Sequence, residues 1–128
     1  MRIEHAGIQV QNPVAMADWY IAHLGFTCRR SSDEPAPVRF IADNSGRVML
    51  EIYRNPGVVV PDYAAMDPLL LHVAFVCEDV SENVQRLVHA GATLVSGPEI
   101  KPNGDELAML RDPWGLAIQL CRRSSPMV

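Results

Sequence analysis

One pattern occurs twice in this chain. Residues 3–10 (IEHAGIQV) alternate with the period of two expected of a half-buried strand, placing His5, Gly7 and Gln9 on one face and Ala6, Ile8 and Val10 on the other. Asn12 and Pro13 open a helix, because an Asn side chain accepts an orphan N–H and Pro has the φ of a first helical position. Met16, Trp19, Tyr20 and Leu24 follow at helical spacing, and Gly25 stops the helix. Strands are predicted near 26–30, 38–42 and 47–54. The segment 55–68, with Pro56, Gly57, Pro61 and Pro68, cannot extend any of them.

From Leu70 the order returns. Residues 70–77 (LLHVAFVC) read as a strand with His72, Ala74 and Val76 on one face. Asp79-Val80-Ser81 opens a helix to about Ala90 before Gly91, and strands follow near 92–95, 106–111 and 116–121. The order β-α-β-β-β is therefore used twice. The chemistry-bearing residues keep the same step: His5 and His72 lie 67 positions apart, Glu51 and Gln119 68 apart. Each copy would bring one imidazole and one carboxylate- or amide-type oxygen to a shared site, and that is the donor set of a metal centre.

Composition narrows the partners. The chain has 128 residues, is 48% apolar and carries a net charge of −4. Nucleic acid and anionic membrane are poor partners for it, since both demand clustered Lys and Arg. Three cysteines, odd in number and widely spaced at Cys28, Cys77 and Cys121, fit a reduced cytoplasmic setting better than a disulfide framework. No run approaches 18 uninterrupted apolar residues, and residues 1–5 lead straight into strand-like sequence, so neither export nor anchoring is expected.

Several local sequences together resemble one family. They are His5 on its strand, Ala17-Asp18-Trp19-Tyr20 leading to Leu24-Gly25-Phe26, Met49-Leu50-Glu51-Ile52, Leu71-His72-Val73-Ala74, and the closing Asp112-Pro113-Trp114-Gly115-Leu116-Ala117-Ile118-Gln119-Leu120. In combination they resemble the vicinal oxygen chelate superfamily, and within it the glyoxalase I-like proteins. The resemblance implies an α+β domain over 1–128, in which paired βαβββ modules form an eight-stranded cup. Module 1 is expected at about 1–55, a linker at 56–68 and module 2 at about 69–123. It also implies a homodimer with the site shared between subunits, His5 and Glu51 of one chain facing His72 and Gln119 of its partner, a small-molecule substrate, and a divalent ion (Zn, Ni, Co, Mn or Fe) held by those four residues. Such an ion would polarise two neighbouring substrate oxygens as an enediolate or enolate develops.

Two departures from the family pattern matter. Gln119 stands where glyoxalase I-like lyases and acyl-CoA epimerases generally carry a glutamate; an amide can ligate but has no useful basicity, so the catalytic base is assigned to Glu51. Gln9 stands where these enzymes place a glutathione-binding arginine, whereas Asn55 matches a glutathione-contacting asparagine of the bacterial enzymes. Gln9, Asn55 and Met109 are therefore candidate substrate contacts, while Tyr53 and Arg54 read as ordinary surface residues and His23 and His89 as solvated helix positions. Three classes of function fit: a metal-dependent lyase, isomerase or epimerase, which the residues favour; a metal-free bleomycin-resistance-type binding protein; and an Fe(II) dioxygenase using His5, His72 and Glu51.

Overall fold

The computed structural model describes residues 1–127. It divides into two compact units, Met1–Pro61 and a second from Asp62 onward. Each has the same element order. In the first, β1 (His5–Gln9) and α1 (Pro13–Leu24) precede β2 (Thr27–Ser32), β3 (Val38–Ala42) and β4 (Met49–Tyr53). In the second, β5 (Val73–Val76) and α2 (Val80–His89) precede β6 (Thr93–Ile100), β7 (Glu106–Arg111) and β8 (Ala117–Arg122).

Each helix starts and stops as its ends dictate. The Asn12 side chain accepts from the Ala15 N–H at 3.1 Å, and Gly25 closes α1 at φ 72°. Asp79 does the same for α2, accepting from the Glu82 N–H at 2.8 Å. The helix then packs on its own sheet: α1 on β2, β3 and β4, α2 on β6, β7 and β8. Met16, Ala17, Trp19 and Tyr20 form the buried side of α1, and Val80, Val84 and Leu87 that of α2.

The sheets have matching topology, β1-β4-β3-β2 and β5-β8-β7-β6. In both, the first and last strands of the unit pair in parallel and the remaining neighbours are antiparallel. The core is one-sided. Leu50 and Ile52 on β4, and Ile118 and Leu120 on β8, are buried. Full burial of each such side chain is worth about 1.5–3 kcal/mol. The residue between them, Glu51 or Gln119, points to the other face by the strand's alternation and is only partly covered.

Three differences from the sequence-based bounds have identifiable consequences. β5 begins at Val73, so His72 sits just ahead of the strand. Asp67 is the cause: its side chain takes the Leu69 N–H at 2.8 Å and its carbonyl the Leu70 N–H at 3.0 Å, which makes 67–70 a turn. β6 runs to Ile100, twice interrupted in register around Ser96 and Gly97. The predicted linker is also split. Arg111 donates to the carbonyls of Tyr63 and Met66 at 2.8 and 2.6 Å, which holds 63–66 against the second unit.

Candidate functional site

In the first unit β1 runs parallel to β4 with Gly7 opposite Glu51, so His5 lies two residues before the partner of Glu51. The side chains meet: His5 Nε2 is 3.4 Å from Glu51 Oε2. Gly7 provides the space between them. A Cβ there would come within 3.3 Å of both Glu51 Oε2 and the Tyr53 ring, so any larger residue would press on the carboxylate.

The other ring nitrogen of His5, Nδ1, bonds to the Glu4 carboxylate. That hydrogen bond, with the charges of Glu4 and Glu51 adding and burial opposing, raises the His5 pKa above its ordinary value. A carboxylate accepts only, so in the neutral ring Nδ1 carries the proton and Nε2 presents its lone pair towards Glu51. Phe40, the β3 residue paired with Glu51, packs edge-on against the imidazole at 5.5 Å between ring centres. Sequence reading passed over Phe40, although its pairing with the Glu51 strand was a signal for it.

The second unit repeats the register. Ala74 pairs with Gln119 on parallel strands, and His72 lies two residues before Ala74. His72 Nδ1 is 3.0 Å from the Pro68 carbonyl, another group that only accepts, so Nε2 is again the nitrogen left with a lone pair. The counterpart of Phe40 is Met109, paired with Gln119 across β7. Met109 and Gln119 line a hollow of about 280 Å³ together with Leu69, Ser96 and Gly97.

The sequence-derived residues thus occupy matching register positions in each unit: the side chains of His5 and Glu51 meet, while His72 and Gln119 are related by register. Among the described residues no group of three or more His, Cys, Asp or Glu side chains gathers in a metal-holding cluster. The pair His5–Glu51 nonetheless suits a cation. Bonds of about 2.1 Å from a ring nitrogen and a carboxylate oxygen to one ion leave the two donors roughly 3.0–3.4 Å apart in octahedral or tetrahedral geometry. A second acceptor on the far ring nitrogen is also what orients metal-binding histidines.

This duplicated βαβββ pattern with matched donor registers coincides with a family model, the Glyoxalase/Bleomycin resistance protein/Dioxygenase superfamily, which matches residues 2–120. The chain belongs to that superfamily. Solved structures share its fold. An antibiotic binding protein, TnmS3, from Streptomyces sp. CB03234 is 20% identical with a TM-score of 0.75, each chain covered over 97%. A glyoxalase family protein from Bacillus cereus is 20% identical with a TM-score of 0.74, over 95% of this chain and 92% of that one. A superfamily member from Sphaerobacter thermophilus is 17% identical with a TM-score of 0.70, over 96% and 98%. No curated protein matches the chain in sequence.

The weaker candidates separate. Gln9 is buried at 6% exposure, and its amide is committed to backbone. Nε2 donates to the carbonyls of Asn55 and Val58, both at 2.8 Å, and Oε1 accepts the Asn55 N–H at 2.8 Å. Expected as a substrate contact, Gln9 instead holds the turn that follows β4, because its strand end brings the amide against the backbone of Asn55 and Val58, whose turn is closed by the Val58 N–H to the Asn55 carbonyl at 3.1 Å. Asn55 is fixed by the same bonds, and its side chain accepts the Gly57 N–H at 2.9 Å. Tyr53, Arg54 and Asn55 all line a second hollow, of about 310 Å³, which Glu51 enters. Tyr53 and Arg54 are therefore more than the plain surface residues their sequence suggested.

The cysteines stand apart from this chemistry. All three are free thiols. Burial, with Cys121 adding to it, pushes the Cys77 thiol up to about 11, so it stays protonated and is a poor nucleophile at neutral pH. No helix among the described residues is long and apolar enough to cross a membrane.

Proposed function

We propose that this superfamily member is a metal-dependent lyase, isomerase or epimerase acting on a small molecule with two adjacent oxygens. The observation that carries this is the His5–Glu51 pair, 3.4 Å apart, with the outer nitrogen of His5 already bonded to Glu4. His5 and Glu51 would hold a divalent ion from one unit, and His72 and Gln119 are the equivalent donors of the other. When bound, the ion supplies a Lewis acid that polarises the substrate's oxygen pair. Glu51 Oε takes the proton from the adjacent carbon, being the one carboxylate in the set; the Gln119 amide cannot. Glu4 fixes the imidazole tautomer, and Phe40 fixes its plane. Free thiols favour a cytoplasmic setting, and the exposed Leu69, Leu70, Leu71 and Val76 favour a homodimer.

The test is calorimetric titration of chelator-stripped protein with Zn²⁺, Ni²⁺, Co²⁺, Mn²⁺ and Fe²⁺. One ion should bind, and His5→Ala should weaken it by at least tenfold, since a ligand nitrogen is lost. Refusal of all five would end the metal reading. It would promote the second one, a small-molecule sequestering protein, which is favoured by the likeness in fold to TnmS3 and by the largely apolar walls of the hollow beside Glu51.

A further inference from the structure

The hollow of about 310 Å³ in the first unit has walls of unequal character. Pro35, Pro37, Val38 and Pro56 supply apolar, stiff lining; Glu51, Tyr53 and Arg54 supply polar lining. Arg54 is the notable group. Its backbone N–H is tied to the Pro37 carbonyl at 3.2 Å, and one guanidinium nitrogen donates to the Gln11 carbonyl at 3.3 Å. No carboxylate of the described residues lies within 4 Å of it, whereas Arg39, Arg122 and Arg123 each have one. A guanidinium has five N–H donors in a planar fork, so Arg54 retains most of them for a guest.

The charges across the hollow are opposed. Glu51 repels an anion and Arg54 attracts it, so a guest's anionic end is favoured beside Arg54 and disfavoured beside Glu51. They are three positions apart along the chain, about 10 Å of extended backbone.

From this we propose that Arg54 is an anion-binding, specificity-determining residue, and that the substrate is a small carboxylate whose anionic end lies several bonds from its vicinal oxygen pair. The oxygen pair rests on the metal reading above; the anion contact does not.

Two probe pairs separate these parts. The first is 3-phenylpropanoate against 3-phenylpropanamide, titrated into metal-free protein by calorimetry, with NMR at the Arg54 Nε–H of the native protein locating the contact. The second is 3-(3,4-dihydroxyphenyl)propanoate against its methyl ester, titrated into Zn²⁺-loaded protein by calorimetry. In both pairs the acid should bind about tenfold tighter than its neutral partner, the scale of one charge-assisted hydrogen bond. Arg54→Gln should erase that preference without changing the neutral partner's affinity, and Arg54→Lys should keep part of it. An acid preference missing from the native protein, or surviving in Arg54→Gln, overturns the proposal. If Zn²⁺ adds nothing to binding of the dihydroxyphenyl compounds while the Arg54-dependent preference persists, the metal reading falls and the anion site stands.

Discussion

Replacing Gln9 by glutamate changes one NH₂ to an oxygen at nearly constant volume, which makes the turn clamp measurable. The native amide donates to the carbonyls of Asn55 and Val58 and accepts from the Asn55 N–H. Glutamate keeps the acceptor and loses both donors, leaving two carbonyls facing an oxygen in a site only 6% exposed. The Asn55 carbonyl still accepts the Val58 N–H at 3.1 Å, so the Val58 carbonyl is the partner that is stranded, and Gln9→Glu should lose about 1–3 kcal/mol at pH 7. The sign with pH follows from the same geometry. Burial against carbonyl oxygens raises the new carboxyl's folded pKa above its unfolded value of about 4.3. The ionisation part of the deficit is therefore absent below that value, grows as pH rises through it, and is complete above the folded pKa. Below it the protonated carboxyl can donate one bond, so the deficit at pH 4 should be smaller by about 1 kcal/mol. Urea unfolding of both proteins at pH 7 and pH 4 reads this directly. A deficit under about 0.5 kcal/mol at pH 7, or a larger one at pH 4, would refute the clamp.

Gly97 sits at φ 86°, and a Cβ there would be 2.5 Å from the Leu107 carbonyl oxygen and 2.9 Å from the Ala108 Cα. Gly97→Ala should cost about 3–5 kcal/mol in urea unfolding, combining left-handed strain with a backbone clash. Gly46→Ala, at φ 65° with open space around it, should show the strain alone, and equal costs would discredit the clash. Asp105 is held at about 2 by the Ser124 backbone N–H first and the Arg123 guanidinium second. Its folded pKa is depressed, so its contribution is full above the unfolded value and is lost as pH falls through about 2. Asp105→Asn should accordingly flatten the drop in thermal midpoint between pH 4 and pH 2, and a drop as steep as the native protein's would count against this.

The duplicated order, both helices and their caps were legible because period, Asn12-Pro13, Asp79 and the two glycines are local signals that the finished sheets do not override. The equivalence of His5 with His72 and Glu51 with Gln119 was legible from spacing, and the strand registers reproduce it. What escaped depended on distant partners. Gln9 alternates like a site residue, yet a turn 46 residues away claims its amide. Arg54 looks like a surface arginine until Pro35 and Pro37 close a wall beside it. His72 seemed to lie within a strand because apolar residues precede it, but the Asp67 turn shortens that strand. The irregularities of β6 are set by Gly97 approaching the Leu107 backbone, which no periodicity announces.

The parallel pairing of first and last strands also sets the order in which the donors can assemble. His5 pairs opposite Met49 and Val73 opposite Ile118, so each ladder closes a loop of more than forty residues. Such closure costs about 3 kcal/mol of chain entropy beyond that of a minimal loop, and the hairpin β3–β4 or β7–β8 is the cheaper contact to make first. A nascent or partly unfolded unit can hold its hairpin without presenting a donor pair. On the metal reading proposed above, the His5–Glu51 pair would be complete only with the last, costliest pairing of its unit, so ion binding would report completed folding.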